Sequence, residues 1–132
     1  MTAAAVCDAS ALVALLVDGG ADGQWSTEMV SGAKLIAPAL VMFETSNIIR
    51  RLELAGVVSA DQAAQAHVDL MELPIELWPY DLLGWRVWEL RRNLSSYDAS
   101  YVAVAEMVAA PLVTLDRRIG TAPGLRCPVV SR

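Results

Sequence analysis

The fold is decided by two neighbouring stretches, SYDASYVAVA at 96–105 and PLVTLDRR at 111–118. The first predicts a helix that carries Asp98 in its opening turn, and the second predicts a short apolar strand that ends just before Asp116. A similar strand at 3–7 ends just before Asp8. Because ligands of an open α/β sheet bind beyond the carboxyl ends of its parallel strands, we expect these three aspartates to converge on one site.

The length and composition of the chain favour one globular domain over residues 1–132. The chain is 55% hydrophobic and 19% charged, which excludes a disordered or collagen-like polymer. The longest apolar block, 9–17, is too short to span a bilayer. No basic segment precedes the N-terminal apolar stretch, and Asp8 interrupts it, which is not typical of a signal peptide. We expect a cytoplasmic protein without membrane contact, with Cys7 and Cys127 both reduced.

Strands and helices alternate along the chain. We predict strands at 3–7, 34–37, 74–78, 112–114 and 129–130, and helices at 10–17, 21–30, 38–56, 59–71, 81–91 and from Ser96 onward. Ser10 is the predicted N-cap of the first helix and Pro38 the first residue of the third, while Trp85 and Trp88 are predicted to face the core. This alternation predicts an α/β three-layer sandwich, with a short parallel central sheet of about four to five strands flanked by helices.

Each acidic candidate has a structural interpretation beside the functional one. Asp8 and Asp116 suit helix N-caps as well as a site, and Asp98 suits the positive end of a helix dipole. Glu44 lies among apolar neighbours inside a helix, where a glutamate is rare unless it is paired or bound to metal, although a surface position stays open. Converging carboxylates repel one another, and a divalent metal offsets that repulsion. Since the one histidine, His67, lies mid-helix, an all-oxygen site favours Mg²⁺ or Mn²⁺ over zinc.

The charge balance argues against a broadly basic nucleic-acid binder, because the formal net charge is −5. Clustered carboxylates account for much of that excess, and a metal would offset them. The basic residues are nine arginines and the single Lys34. Arginine pairs at 50–51, 91–92 and 117–118 offer forked donors suited to phosphate, with solvated helix surface as the alternative.

The motifs together resemble the PIN-domain family and, within it, the toxins of VapBC toxin–antitoxin systems. The resemblance covers essentially the whole chain and rests on VCDAS at 6–10, FETSN at 43–47, YDASYVAVA at 97–105 and LVTLD at 112–116. It implies a catalytic and metal-binding quartet, accessory polar residues and a groove for RNA. The quartet is Asp8, Glu44, Asp98 and Asp116, the accessory residues are Ser10, Thr114 and Asn47, and the expected groove residues are Arg51, Arg91, Arg92 and Arg117.

The resemblance implies a metal-dependent endoribonuclease that acts as the toxin of a type II toxin–antitoxin module. Such an enzyme hydrolyses phosphodiester bonds in structured or single-stranded RNA, such as tRNA or rRNA loops. It further implies Mg²⁺ or Mn²⁺ as cofactor, a cognate antitoxin as inhibitor, and a homodimer. Trp78, Tyr80, Trp85 and Trp88 give this small domain much aromatic surface, and we expect the part of it that is not core to form the dimer face. The alternative is a non-catalytic PIN-like interaction module whose acidic pocket holds a metal or a partner's arginine.

Single residues argue against three other classes. A haloacid-dehalogenase-like phosphatase requires an aspartate at the position of Ser10. A receiver domain requires a lysine after a late strand, but the chain's lysine is Lys34. The glycines at 19–23 lack the dinucleotide-binding spacing. Within the preferred quartet, charge repulsion predicts that at least one carboxyl pKa is raised, and we expect Asp116→Asn to stabilise the metal-free protein.

Overall fold

The computed structural model describes residues 3–132, which form a parallel sheet between two layers of helices. The strands of this part of the chain are β1 (Ala4–Cys7), β2 (Lys34–Pro38), β3 (Ile75–Trp78), β4 (Leu112–Thr114) and β5 (Val129–Ser131). The helices are α1 (Ala9–Val17), α2 (Ala21–Val30), α3 (Leu40–Leu54), α4 (Ala60–Glu72), α5 (Gly84–Glu89) and α6 (Ser96–Met107), with 3₁₀ turns at Tyr80–Leu82 and Ile119–Thr121. The predicted three-layer α/β architecture is confirmed.

The sheet has the strand order β3-β2-β1-β4-β5, and every neighbouring pair is parallel. Its central strand is β1, in which Val6 pairs with Ile36 of β2 on one side and Leu112 of β4 on the other. The direction of chain progression therefore reverses between β1 and β4. In open α/β sheets that point opens a crevice at the carboxyl ends of the strands. Asp8 follows β1 directly and Asp116 lies two residues after β4, at that crevice.

Helices cover both faces of the sheet, which explains the nearly continuous apolar strands. On one side α1 packs with α2, α3 and α4, and on the other α6 lies over β1 and β2 with α5 beside it. Residues 102–105 of α6 are fully buried, and their small side chains let this helix approach the sheet closely. A second apolar cluster lies between α1, α3 and α4 around Val13 and Ile49. Within residues 3–132, none of the helices has the length and apolar character needed to cross a membrane.

Three predicted helix starts are shifted in the structure. Helix α1 begins at Ala9 with Asp8 as its N-cap, so the cap is not Ser10. Pro38 ends β2 instead of opening α3, since it pairs with Trp78 of β3. The predicted helix at 81–91 is a 3₁₀ turn followed by the shorter α5. The capping box at the start of α4 is confirmed, with Ser59 as its N-cap residue.

The prediction that Trp85 and Trp88 face the core is wrong, because their side chains are 89% and 62% exposed. The core face belongs to Leu83, Val87 and Leu90, which are buried. Those three residues follow the i, i+4, i+7 spacing of one helix face, and the tryptophans lie off that stripe. The guanidinium of Arg91 stacks over the Trp88 ring, 4.8 Å from its centroid. These indoles therefore belong to the surface.

Candidate active site

Asp8 is a buried carboxylate at the carboxyl end of β1, only 6% exposed. Its Oδ1 accepts hydrogen bonds from the backbone N of Ala11 at 3.1 Å and from Ser10 Oγ at 2.6 Å, while Oδ2 accepts from Thr114 Oγ1 at 2.5 Å. Burial raises the pKa of Asp8, and these three donors oppose the rise. Asp8 is therefore both a helix cap and a carboxylate directed into the crevice.

The two predicted accessory hydroxyls join the ends of β1 and β4. Ser10 Oγ accepts from the backbone N of Leu115 at 3.0 Å and lies 3.4 Å from Thr114 Oγ1. Thr114 Oγ1 in turn accepts from the backbone N of Asp116 at 2.9 Å. Since both hydroxyls also donate to Asp8, they fix the turn after β4 relative to that carboxylate.

Asp116 is held by a neighbouring guanidinium. Its Oδ1 accepts from the Nε of Arg118 at 3.0 Å and from the backbone N of Arg118 at 3.0 Å, and its Oδ2 accepts from Nη2 at 2.8 Å. The hydrogen bonds from Arg118 lower the pKa of Asp116. Asp116 thus closes a turn on Arg118 and does not cap the 3₁₀ turn that starts at Ile119. The predicted groove residue Arg117 instead donates to the carbonyl oxygen of Arg132 at 2.6 Å.

Asp98 occupies the first turn of α6, next to this ion pair. Its backbone N donates to the Oγ of Ser95, the N-cap residue, at 3.1 Å. Burial raises the pKa of the Asp98 carboxyl, the charge of Asp116 raises it further, and Arg118 opposes both. The charges of Asp116 and Arg118 therefore both act on the Asp98 carboxyl, in opposite directions.

Glu44 extends from α3 toward α6 and is held there by a buried tyrosine. The hydroxyl of Tyr101 donates to Glu44 Oε1 at 2.5 Å. Burial raises the pKa of Glu44, the charges of Asp98 and Asp8 raise it further, and the hydrogen bond from Tyr101 opposes them. Burial and Glu44 also raise the pKa of Tyr101, which keeps its hydroxyl protonated as a donor. Glu44 therefore faces the other acids, and its surface alternative does not apply.

The four carboxylates interact electrostatically, but they do not share one protonation behaviour. The pKa values of Asp8, Glu44 and Asp98 are raised, while that of Asp116 is lowered by Arg118. At least one carboxyl pKa is raised, as expected, but burial contributes more than charge repulsion and Asp116 is not among the raised groups. Because Arg118 offsets its charge, the basis for expecting Asp116→Asn to be stabilising is wrong. The charge of Asp116 nevertheless contributes to the raised pKa values of Asp8 and Asp98.

An all-oxygen donor set suits a hard cation such as Mg²⁺ or Mn²⁺. The buried Asp8 carboxylate and its acidic neighbours are of that type. Within residues 3–132, however, no three Asp, Glu, His or Cys side chains form a group that could hold a metal ion as they are placed. In this arrangement Arg118 engages both oxygens of Asp116. The residues fit a divalent cation in chemistry, and we expect Asp116 to join its ligands once Arg118 moves away.

A cleft of about 710 Å³ adjoins the acids along α3 and the start of α6. Glu44 and the predicted accessory residue Asn47 line it, together with Arg50 and exposed apolar side chains. The predicted groove residues Arg51, Arg91 and Arg92 are exposed but do not line this cleft. Their role toward RNA stays a prediction.

The family model described as "PIN domain" matches residues 5–125. The chain belongs to the PIN-domain family. The matched part of this PIN domain contains all four candidate acids, from Asp8 to Asp116. The predicted family resemblance is thereby confirmed over most of the chain.

Proteins similar to this PIN domain include a VapC ribonuclease, a solved VapC toxin and a solved VapBC structure. Ribonuclease VapC9 of Mycobacterium tuberculosis is 37% identical over 124 residues, which cover 94% of this chain and 94% of the relative. The structure of Mycobacterium tuberculosis VapC20, a Sarcin-Ricin loop cleaving toxin, superposes with a TM-score of 0.66 at 18% identity, covering 89% of this chain and 93% of that one. VapBC2 of Rickettsia felis, bound to a DNA fragment from their promoter, gives a TM-score of 0.68 at 12% identity, with 96% and 97% covered. At such identities the two structures establish a shared fold.

Tyr101 was not identified as a site residue from the sequence, and Arg50 and Arg118 were identified only as members of arginine pairs suited to phosphate. Tyr101 lies three residues after Asp98, a spacing that places both on one side of α6, and a buried hydroxyl requires a partner. Arg50 lies three residues after Asn47 on α3, so these two residues also share one side of their helix. Arg118 could not be singled out, because Arg117 lies even nearer to Asp116 in the sequence.

Proposed function

We propose that this PIN domain is a metal-dependent endoribonuclease that acts as the toxin of a type II toxin–antitoxin module. The observation that carries the proposal is that Asp8 and Asp116 follow β1 and β4 at one edge of the sheet, within electrostatic reach of Glu44 and Asp98 and beside an open cleft. The relation to Ribonuclease VapC9 and the fold shared with a Sarcin-Ricin loop cleaving toxin support RNA as the substrate. Structured or single-stranded RNA, including tRNA or rRNA loops, is the proposed target.

Asp8, Asp98 and Asp116 are the residues that would hold Mg²⁺ or Mn²⁺, with Glu44 completing the set. When bound, the ion supplies a water of lowered pKa and offsets charge that develops on the phosphate. The hydrogen bond from Tyr101 occupies Glu44 Oε1 and fixes the direction of the carboxylate. Glu44 Oε2 stays free of that hydrogen bond, and it would either bind a second ion or orient the attacking water.

The proposed partners follow from the charge of the site. A cognate antitoxin would inhibit by presenting a basic side chain to the acids, and the pair between Arg118 and Asp116 supports this, since a guanidinium already fits that carboxylate. The structure of VapBC2 from Rickettsia felis, which shares the fold of this chain, carries the name of a VapBC toxin–antitoxin system. We further propose a homodimer that acts in the cytoplasm, where RNA substrates lie.

Cleavage of RNA by the purified protein tests the proposal. Single-stranded and stem-loop RNAs should be cut in Mg²⁺ or Mn²⁺ and remain intact in EDTA. Asp98→Asn should reduce the rate by roughly 100-fold or more, as the loss of one electrostatic group at a reacting centre does. The matched control is Asp61→Asn, which changes an exposed aspartate in the first turn of α4 and should cleave as wild type does.

Two results would contradict the enzyme assignment. Cleavage that persists in EDTA, or that Asp98→Asn leaves undiminished, would remove the proposed site. Tight binding of metal or RNA without any cleavage would favour the non-catalytic interaction module.

A further inference from the structure

A second cavity of about 290 Å³ lies next to the acidic cleft, where β2 and β3 end and α6 begins. Three aromatic side chains line it, Trp78, Tyr80 and Tyr97, together with the hydroxyls of Ser96 and Ser100. Its volume equals about ten water molecules at about 30 Å³ each, which is room for one flat ring system. A helix, with a diameter of about 10 Å, does not fit.

This aromatic pocket is continuous with the candidate active site. Leu40 and Tyr97 line both the pocket and the cleft that contains Glu44. On α6, the pocket residues Tyr97 and Ser100 flank Asp98 within one helical turn. Along the sheet edge the pocket lies at β2 and β3, and the acids lie at β1 and β4, so about two strand spacings of about 4.8 Å separate them. Neighbouring nucleotides of one RNA strand can bridge that distance.

The pocket walls are held in place by the fold. The backbone N of Ala39 donates to the carbonyl oxygen of Trp78 at 2.9 Å, and Nε1 of Trp78 donates to Glu76 Oε2 at 3.0 Å. The Tyr80 ring lies against Gly84, where a Cβ would come within 2.9 Å of Tyr80 Cε1. Tyr80 is nevertheless 61% exposed. One side of its ring is therefore supported by the backbone of α5, and the rest is available for a ligand.

We propose that this aromatic pocket binds one unstacked nucleobase of the RNA, next to the phosphate that is cleaved. The inference rests on the proposed ribonuclease function and adds a subsite that selects single-stranded or looped RNA, because a paired base cannot enter. Proteins recognise such splayed bases by stacking them on aromatic rings and by hydrogen bonds to their edges. The rings of Tyr80 and Tyr97 supply the stacking surface. Ser96 adds a polar side chain to the lining, while the Ser100 hydroxyl donates to the carbonyl oxygen of Tyr97 at 2.6 Å.

A binding measurement in EDTA separates this inference from the cleavage reaction. The probes are single-stranded RNA oligonucleotides of one sequence, each carrying an abasic nucleotide at a different position. For wild type, one position should weaken binding roughly tenfold, within the range of base–aromatic stacking. Tyr80→Ala should weaken binding of the intact RNA by a similar factor and should add no further loss on the RNA that is abasic at that position.

Matched variants keep the test specific to the ring. Tyr80→Phe retains the stacking surface and should bind as wild type does. Leu82→Ala removes a 52% exposed side chain from the same 3₁₀ turn but outside the pocket, and should also bind as wild type does. Gly84→Ala displaces the Tyr80 ring and should weaken binding without removing any side chain.

The outcomes distinguish the subsite from the enzyme. RNA that is cut in Mg²⁺, but bound equally by wild type and Tyr80→Ala, overturns the subsite and leaves the ribonuclease intact; the pocket would then suit an apolar side chain of a protein partner. The subsite is also overturned if the fold-loss in binding from Tyr80→Ala and the fold-loss from the abasic position multiply. Independent losses would mean that the ring does not contact that base. Non-additive losses in RNA that is never cut support the subsite and contradict the cleavage reaction.

Discussion

Replacing Glu44 with glutamine should stabilise the metal-free protein while removing its nuclease activity. Glutamine keeps the size of the side chain and still offers Oε1 to the hydroxyl of Tyr101, so the observed hydrogen bond persists. What disappears is a half-buried negative charge that lies near those of Asp8 and Asp98. The substitution therefore isolates the electrostatic cost that the site imposes when no cation is bound.

The size of the gain follows from the partial burial of Glu44. Interactions between solvent-exposed charges contribute about 0.2–1 kcal/mol. After allowance for screening, we expect Glu44→Gln to raise the free energy of unfolding by about 0.5–1 kcal/mol. With an unfolding entropy of about 2.1 cal/mol/K per residue, this chain of 132 residues has about 280 cal/mol/K. The melting temperature should therefore rise by about 2–4 °C at neutral pH.

The gain should depend on pH in one direction. The pKa of Glu44 is raised in the folded state, so the folded protein binds that proton more tightly than the unfolded chain does. The resulting stability is complete below the ordinary glutamate pKa of about 4.3 and is lost as the pH rises through the folded-state value. Wild type and Glu44→Gln should thus melt together in acid and separate as the pH approaches 7.

Thermal melts in EDTA and in Mg²⁺ measure these effects. Glu44→Ala is the informative comparison, because it leaves the buried Tyr101 hydroxyl without an acceptor, which costs about 1–3 kcal/mol. It should melt below Glu44→Gln under every condition. Added Mg²⁺ should stabilise wild type more than either variant, since binding to the folded state alone raises its stability. Melting of Glu44→Gln below wild type in EDTA at pH 7 would refute the electrostatic reasoning.

Three further perturbations test other parts of the structure. Arg118→Ala should change the melting temperature by less than about 4 °C, because its pair with Asp116 is exposed, but it should increase Mg²⁺ affinity in calorimetric titrations; weaker affinity would contradict the competition. Ser59→Ala removes the capping box of α4 and should cost about 1 kcal/mol, and an unchanged melt would contradict that role. Trp85→Ser combined with Trp88→Ser should convert a dimer into a monomer in light scattering, a prediction lost if wild type is monomeric at tens of micromolar.

The layout of the sheet could be predicted because it depends on short-range patterns. Apolar blocks that end before Asp8 and Asp116 mark the carboxyl ends of strands, and parallel pairing brings those ends to one edge. The first and last residues of the helices were harder to predict. Asp8 and Ser10 are both good caps, and only the hydrogen bond from Ala11 to Asp8 decides between them. Pro38 suits a helix start, but its pairing with Trp78 across the sheet is a long-range contact that overrides the local preference.

The orientation of the tryptophans illustrates a second limit. Large aromatic residues bury much apolar area, so Trp85 and Trp88 were expected inside. The register of α5 is set instead by Leu83 and Val87, which reach the core at the spacing of one helix face. Composition predicts how much apolar surface a helix must bury, whereas the packed register determines which side chains bury it.

The acids of the site could be named from the sequence, but their charge states could not. The sequence shows that residue 116 is an aspartate. Its pKa, however, depends on whether Arg117 or Arg118 turns toward it, and both side chains are long enough to reach it. In the fold it is Arg118 that donates to both oxygens. Arg118 lowers the pKa of Asp116, while burial raises the pKa values of Asp8, Glu44 and Asp98, with a smaller rise from neighbouring carboxylates. We expect a cation that binds Asp116 to displace Arg118, to release protons from the acids of raised pKa, and to free Arg118 for the phosphate of a bound RNA.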